Sequence, residues 1–393
     1  MASFSLGTGG DSVAEVGAAA DWDADWVKAL PKAEVHCHME GCIERDLVRR
    51  AARRHHVAVP FDEGEDATGA PPISSLADLL SYLDFSCALI DQADELASIA
   101  YAAARHATAS GACYIDVIIT PLHWQAWRGR VAAMVDAIDG GFREAEQDGL
   151  APAGLCLSIN RGESAGRARE MVEWMVQARH PRVVALSIDG NEQAGSHNDR
   201  FAPAFALARS HGLHRCAHAG ESSGPGGVRE AVELLGAERI DHGIRAIEDP
   251  VLVRDLAARR VALDICPTSN RILGLTPDPS RHPLERLRAA GVGVSLNTDD
   301  PLIYGCELLG EYVETAETFS WDKGVLGSIA RTSIESCFAE EGHREELVRA
   351  LERYLGASSG EGPAAAGEGP VAAGEGPVAA GEGPAAAGGT LGS

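Results

Sequence analysis

The sequence predicts an α/β fold: a (β/α)8 TIM barrel with extra helices inserted after the first strand over its mouth. Two observations carry this. Eight short apolar runs rich in Val, Ile, Leu and Cys alternate with amphipathic helical stretches, as parallel strands buried on both faces do. The polar residues that do not suit a buried strand collect at or near the C-terminal ends of four runs, the end where active sites of this fold lie. A doubly wound sheet is the second architecture compatible with the alternation.

The expected strands are, in order, 33–39, 112–119, 154–160, 183–189, 214–220, 239–243, 261–267 and 292–298. Helical stretches at 93–110, 165–179, 201–212, 227–236, 249–260 and 283–291 fall between them, with apolar residues at spacings of 3 and 4. The segment from about 45 to 111 is too long for one connection and must hold extra helices. Residues 74–90 are the expected lid. Pro60-Phe61, Leu79-Leu80 and Phe85 are candidates to line a pocket, although helical core is the simpler reading of each.

Residues 1–22 read as a loose Gly/Ala/Ser/Asp-rich tail, 23–356 as the barrel, and 357–393 as a flexible acidic tail. The last segment repeats GEGPAAA or GEGPVAA from Gly360, and its recurrent Gly and Pro break any helix. It contains four Glu and no Lys or Arg, so the net charge of −24 becomes −20 without it. The acidity therefore belongs mostly to the folded part. Such a chain repels phosphate backbones and anionic lipid, which argues against a nucleic-acid or membrane-surface partner.

At roughly 100–200 residues per domain, the length allows two or three domains or one large barrel. The chain is 45% hydrophobic and 23% charged, an ordinary globular composition that can bury a sizeable core. No apolar run approaches the ~20 residues needed to span a bilayer, and the N-terminus lacks a basic region followed by an apolar core. Nine scattered cysteines without a CxxC read as reduced thiols, so a cytoplasmic location is expected.

The first strand ends His36-Cys37-His38, and a period of two points both imidazoles to one side. The fifth ends His218-Ala219-Gly220-Glu221, the sixth carries Asp241-His242-Gly243, and the eighth leads into Asp299-Asp300. On a barrel these ends share one face. Several imidazoles with a carboxylate suit a borderline divalent ion, Zn2+ first, which lowers the pKa of a bound water to about 7. Glu221 is left over as a candidate general acid. Each motif alone has a plain structural reading, and Asp299-Asp300-Pro301 by itself reads as a turn. Only their joint placement points to a metal site. The other histidines, His123 and His282 among them, have no such support, and most of them read as surface or core. His38-Met39-Glu40 also matches H-x-E of cytidine-type deaminases, but the required P-C-x-x-C is absent.

LPKAEVHCHMEG (30–41), CAHAGE (216–221), ERIDHGIRAIED (238–249), CPTSN (266–270) and SLNTDDP (295–301) together resemble the adenosine/adenine deaminase family. The resemblance runs from about Trp26 to Leu355. It implies a barrel with one zinc ion per chain that hydrolyses a purine 6-amino group to a 6-oxo group and ammonia. His36, His38, His218 and Asp299 resemble the zinc ligands. Glu221 resembles the acid that protonates a purine ring nitrogen, and His242 the residue that orients the attacking hydroxide. Asp300 resembles the group that hydrogen-bonds N7.

Three departures bear on the substrate. Glu40 stands where adenosine deaminases usually carry the Asp that faces ribose. The loop holding Gly190, the nearest candidate for the backbone amide that reads the purine, is about two residues shorter than the adenosine pattern. Ile118 replaces an Arg found in many relatives. Adenosine or 2′-deoxyadenosine is the leading expected substrate, from the family as a whole. Free adenine, or a larger nucleoside such as aminodeoxyfutalosine, is the alternative that the departures favour. Another amidohydrolase-type metal hydrolase is the remote reading, since VVALSID offers no bridging Lys. Oligomeric state is not legible.

Overall fold

The computed structural model describes residues 21–59, 73–193 and 198–358. The expected tails therefore lie almost wholly outside the described residues, as do Pro60 and Phe61. The chain divides at Leu355/Gly356, and the barrel belongs to the first of the two units.

Eight strands form one sheet in chain order: β1 Lys32–His38, β2 Ala112–Ile119, β3 Ala153–Asn160, β4 Val183–Asp189, β5 His214–Ala219, β6 Arg239–His242, β7 Ala262–Ile265 and β8 Val294–Leu296. Every neighbouring pair is parallel. Just past β8, Asp299 bridges to Cys37 of β1, which brings the last strand back to the first. The architecture is the expected (β/α)8 barrel. Strand ends differ from the sequence reading by at most two residues. The largest shortenings are in β8, which keeps only three residues, and in β7, where Cys266-Pro267 leaves the sheet to start a helix with Pro at its first position.

The helices are α1 Ala24–Ala29, α2 Arg45–His55, α3 Leu76–Ala88, α4 Ala93–Ala109, α5 Val131–Gln147, α6 Ala165–Ala178, α7 Ala202–Ser210 and α8 Pro225–Glu230. They continue with α9 Pro250–Arg259, α10 Pro267–Ile272, α11 Leu284–Ala289, α12 Pro301–Tyr304, α13 Leu308–Phe319, α14 Lys323–Ser336 and α15 Glu341–Ser358. Starts are set locally. Ser75, Ser164 and Asp249 each accept a backbone N–H of the first turn of α3, α6 and α9. The stretch expected as one helix over 227–236 is α8 followed by a π-helical turn, Ala231–Leu235. The long segment after β1 does hold extra helices, α2 and α3, ahead of α4.

Inside the barrel, below the site, Arg239 is fully buried. It pairs with Asp116 at 2.6 Å and Asp264 at 2.8 Å, and donates to the Val35 carbonyl at 2.7 Å. Its guanidinium lies over the Phe338 ring, 3.9 Å from the centroid. A charge buried this deeply is tolerable only with such complete pairing. All nine cysteines are free thiols. Among the described residues no helix is long and apolar enough to cross a membrane.

Candidate active site and metal centre

The seam between β8 and β1 builds the site. The His38 N–H donates to the Asp299 carbonyl at 2.7 Å, and the Asp299 N–H donates to the His36 carbonyl at 3.1 Å. Asp299 adopts φ +65°, a left-handed conformation that costs a non-glycine residue on the order of 1 kcal/mol. The bend turns its carboxylate onto the two imidazoles, with Oδ1 3.3 Å from Nε2 of both His36 and His38. From β5, His218 Nε2 comes within 3.1 Å of His36 Nε2 and 3.0 Å of His38 Nε2. The quartet expected from the sequence is thus assembled and buried, its ligand atoms within 4.8 Å of one another.

The protons on the far side of these rings show what the centre suits. His36 Nδ1 lies 3.1 Å from the Asp264 carbonyl, an acceptor only, so that nitrogen carries the proton. His218 Nδ1 lies 3.1 Å from Asp241 Oδ2, whose carboxyl is held below its ordinary range: burial opposes its charge, but His36 and His218 outweigh it. Both Nε2 lone pairs therefore face one centre with no donor between them, the arrangement that outer carboxylates and carbonyls impose on metal-bound histidines. Tetrahedral ligation at 2.0–2.1 Å would separate donor atoms by about 3.3 Å, close to the spacings above. Ser269 Oγ donates to Asp299 Oδ2 at 2.7 Å and leaves Oδ1 to the centre. The residues fit a single divalent cation.

Beside the quartet stand Glu221 and His242. Burial pushes the Glu221 carboxyl up to about 8, with the negative charges of Asp299 and Glu192 adding. Its loop is held by Glu192. That carboxylate accepts the N–H groups of Gly220 (2.7 Å), Glu221 (3.0 Å) and Ser222 (2.9 Å), and the Ser223 hydroxyl. His242 also has positive φ, +66°. Its Nε2 lies 3.5 Å from Glu221 Oε1 and 3.9 Å from Asp299 Oδ2.

A pocket opens on these groups, lined also by Glu40, Asp189, Gly190 and Asp300. Glu40 Oε1 accepts the Thr120 N–H at 2.8 Å and Trp124 Nε1–H at 2.7 Å, while the buried Oε2 has no partner among the described residues. Burial pushes the Glu40 carboxyl up to about 7, against the pull of His123 and these donors. Asp300 is raised well above its ordinary value by burial, then by the charges of Asp299 and Glu40. Gly190 adopts φ +85°, a conformation open to glycine. Ile118 is buried in the barrel interior with Cys156, Ala185, Cys216 and Phe338.

The structure corrects two readings. Leu79 and Leu80 of α3 line the pocket and are not plain helical core. His123 is neither surface nor plain core: it lines the same pocket, with Nδ1 2.7 Å from Asp84 Oδ1 of α3. Glu192, Asp241, Ser269 and Asn270 carry no role in the sequence reading. Each acts by holding a neighbour distant in sequence, which no local spacing reports.

The sequence profile described as adenosine deaminase matches residues 31–354. An adenine deaminase from Cupriavidus pinatubonensis is 31% identical over 341 residues, 87% of this chain and 97% of that protein. One from Sinorhizobium medicae is 34% identical over 324 residues, 82% of this chain and 98% of that protein. Among solved structures, adenine deaminase from Arthrobacter aurescens superposes with a TM-score of 0.77 at 26% identity, covering 83% of this chain and 99% of that one. An amidohydrolase from Burkholderia ambifaria with bound Zn also gives 0.77, at 25% identity, covering 88% and 97%. This chain belongs to the adenosine deaminase family.

Proposed function

We propose that the protein hydrolyses free adenine to hypoxanthine and ammonia, with one zinc ion per chain held by His36, His38, His218 and Asp299. This reverses the order expected from the sequence, which put adenosine first. The observation that carries the reading is Glu40: a buried carboxylate with one oxygen tied to two N–H donors and the other, in the pocket, without a partner among the described residues. Free adenine has an N9–H to donate to such an oxygen, whereas a nucleoside carries ribose there. The relatives named above as adenine deaminases support the same choice.

The bound cation supplies Lewis acidity and an acidified water. The protein's own groups do the rest. Glu221, held protonated by its burial, donates to purine N1 and makes C6 electrophilic. Asp300, its carboxyl raised by burial and by the charges of Asp299 and Glu40, donates to N7, and the Gly190 N–H reads the purine ring. His242 orients the attacking water by its Nε2. Water oxygen bonds to C6 on one face, a proton passes to the 6-amino nitrogen, the C6–N bond breaks, and ammonia leaves. Leu76, Leu79, Leu80 and Leu83 of α3 cover the pocket and keep bulk water out.

An ultraviolet assay with zinc-loaded protein tests this on adenine, adenosine, 2′-deoxyadenosine and aminodeoxyfutalosine in parallel. Loss of the 6-amino chromophore with adenine alone is expected. Turnover of adenosine or the larger nucleoside without adenine would overturn the assignment.

A further inference from the structure

His242 has two ring nitrogens, and the one that carries the proton decides whether Nε2 donates or accepts at the reacting atoms. A chain of hydrogen bonds behind the ring answers this, starting from a backbone amide. The Leu284 N–H, opening α11, donates to His282 Nδ1 at 3.1 Å. A nitrogen that accepts carries no proton, so neutral His282 is protonated on Nε2. That nitrogen lies 3.2 Å from Asn270 Oδ1 and donates to it. The amide cannot be turned over, because its NH2 group would then face a donor. Asn270 Nδ2 therefore donates to His242 Nδ1, 3.3 Å away. The His242 proton is left on Nε2, the nitrogen nearest Glu221 and Asp299.

Asn270 and His282 are buried, so bulk water does not compete for these bonds. Burial also holds His282 down to about 4, which keeps its ring neutral.

Resting on the reading of His242 as the group that meets the attacking water, we infer that Asn270 and His282 form a tautomer relay that makes His242 a hydrogen-bond donor there. A donor at Nε2 cannot take the water's proton. It binds the oxygen lone pair and stabilises charge as the bond to C6 forms, and the water's proton goes to the Glu221 carboxylate left after donation to N1. Asn270 and His282 are positioning residues. Neither lines the pocket around Glu221.

The test uses zinc-loaded full-length protein labelled with 15N-histidine. Two-bond 1H–15N spectra report each tautomer, with His242 and His282 assigned by their loss in His242→Gln and His282→Gln. Both rings are expected in the Nε2–H form. Asn270→Asp offers only acceptors and should move His242 to Nδ1–H. Reversing a catalytic imidazole in this way costs about 10⁴ in the serine-protease triad. Here kcat should fall about 10²-fold or more, with KM and zinc content within about threefold. Gln at 282 can accept from Leu284 and donate to Asn270, so His282→Gln should keep the tautomer and most of kcat, whereas His282→Leu should lose both. An Nδ1–H ring in the unsubstituted protein, or full kcat in Asn270→Asp, would overturn the relay. If the zinc-loaded protein deaminates no purine, the proposed function fails, and the wild-type spectrum alone still decides the relay.

Discussion

Gly41 and Asp300 meet backbone to backbone. A Cβ on Gly41 would lie 2.7 Å from Asp300 Cβ and closer still to its Cα. Gly41 follows Glu40 in a short 3-10 turn, and Asp300 leads into α12. Two pocket carboxyls, far apart in the sequence, thus depend on one missing methyl group. Gly41→Ala should displace Asp300, lower kcat/KM at least tenfold and destabilise by about 1–3 kcal/mol. Thermal melts and initial rates check this. Wild-type values for both would mean the segment yields without cost.

Glu221→Gln removes the donated proton but keeps shape and polarity. It should retain zinc and lose about 10²–10⁴ in kcat. Metal analysis beside rate measurement separates this from site collapse. Near-normal turnover would remove Glu221 from its proposed role.

Asp299→Ala removes a carboxylate oxygen facing both His36 and His38, and the Ser269 acceptor as well. Metal and activity should both be lost. A variant that keeps a full equivalent of zinc after dialysis against a weak chelator would show the ligand set is wrong.

Glu40 links the pocket to stability. Its carboxyl is raised from an ordinary 4.5 to about 7 by burial, so across that window the folded state holds a proton that the unfolded chain has released. This contribution to stability is complete below about 4.5 and is lost as pH rises through about 7. Denaturant titrations of metal-free protein at pH 5 and pH 8 should show a decline that is smaller in Glu40→Gln. An equal decline in both proteins would mean Glu40 titrates normally.

Asp84 ties α3 to His123 across the pocket mouth, and its side chain is 64% exposed. With its Asp84 end in solvent the pair is worth little to stability, so Asp84→Ala should melt normally. Loosening the cover should raise KM about 3–10-fold at unchanged zinc content. An unchanged KM would leave the pair as surface ornament.

Much of this molecule is decided within short windows of sequence. A buried parallel strand must be apolar along its length, so VVALSID and ACYIDVII mark themselves. The side-chain period of a strand puts His36 and His38 on one side without reference to the rest of the chain. Strand ends of a barrel share a face, so His218, Glu221, His242 and Asp299 could be gathered from strand order alone.

What only the tertiary structure decided is how those groups are oriented. Asn270 lies 28 residues from His242, and Glu192 lies 29 from Glu221. Asp84 reaches His123 from a helix inserted after β1, and a methyl group at Gly41 is forbidden by Asp300, 259 residues later in the sequence. Hydrogen bonds have direction, and that direction is settled when two distant segments meet. A sequence period describes one element at a time, so it records which residues face the site but not which of their atoms carry the protons.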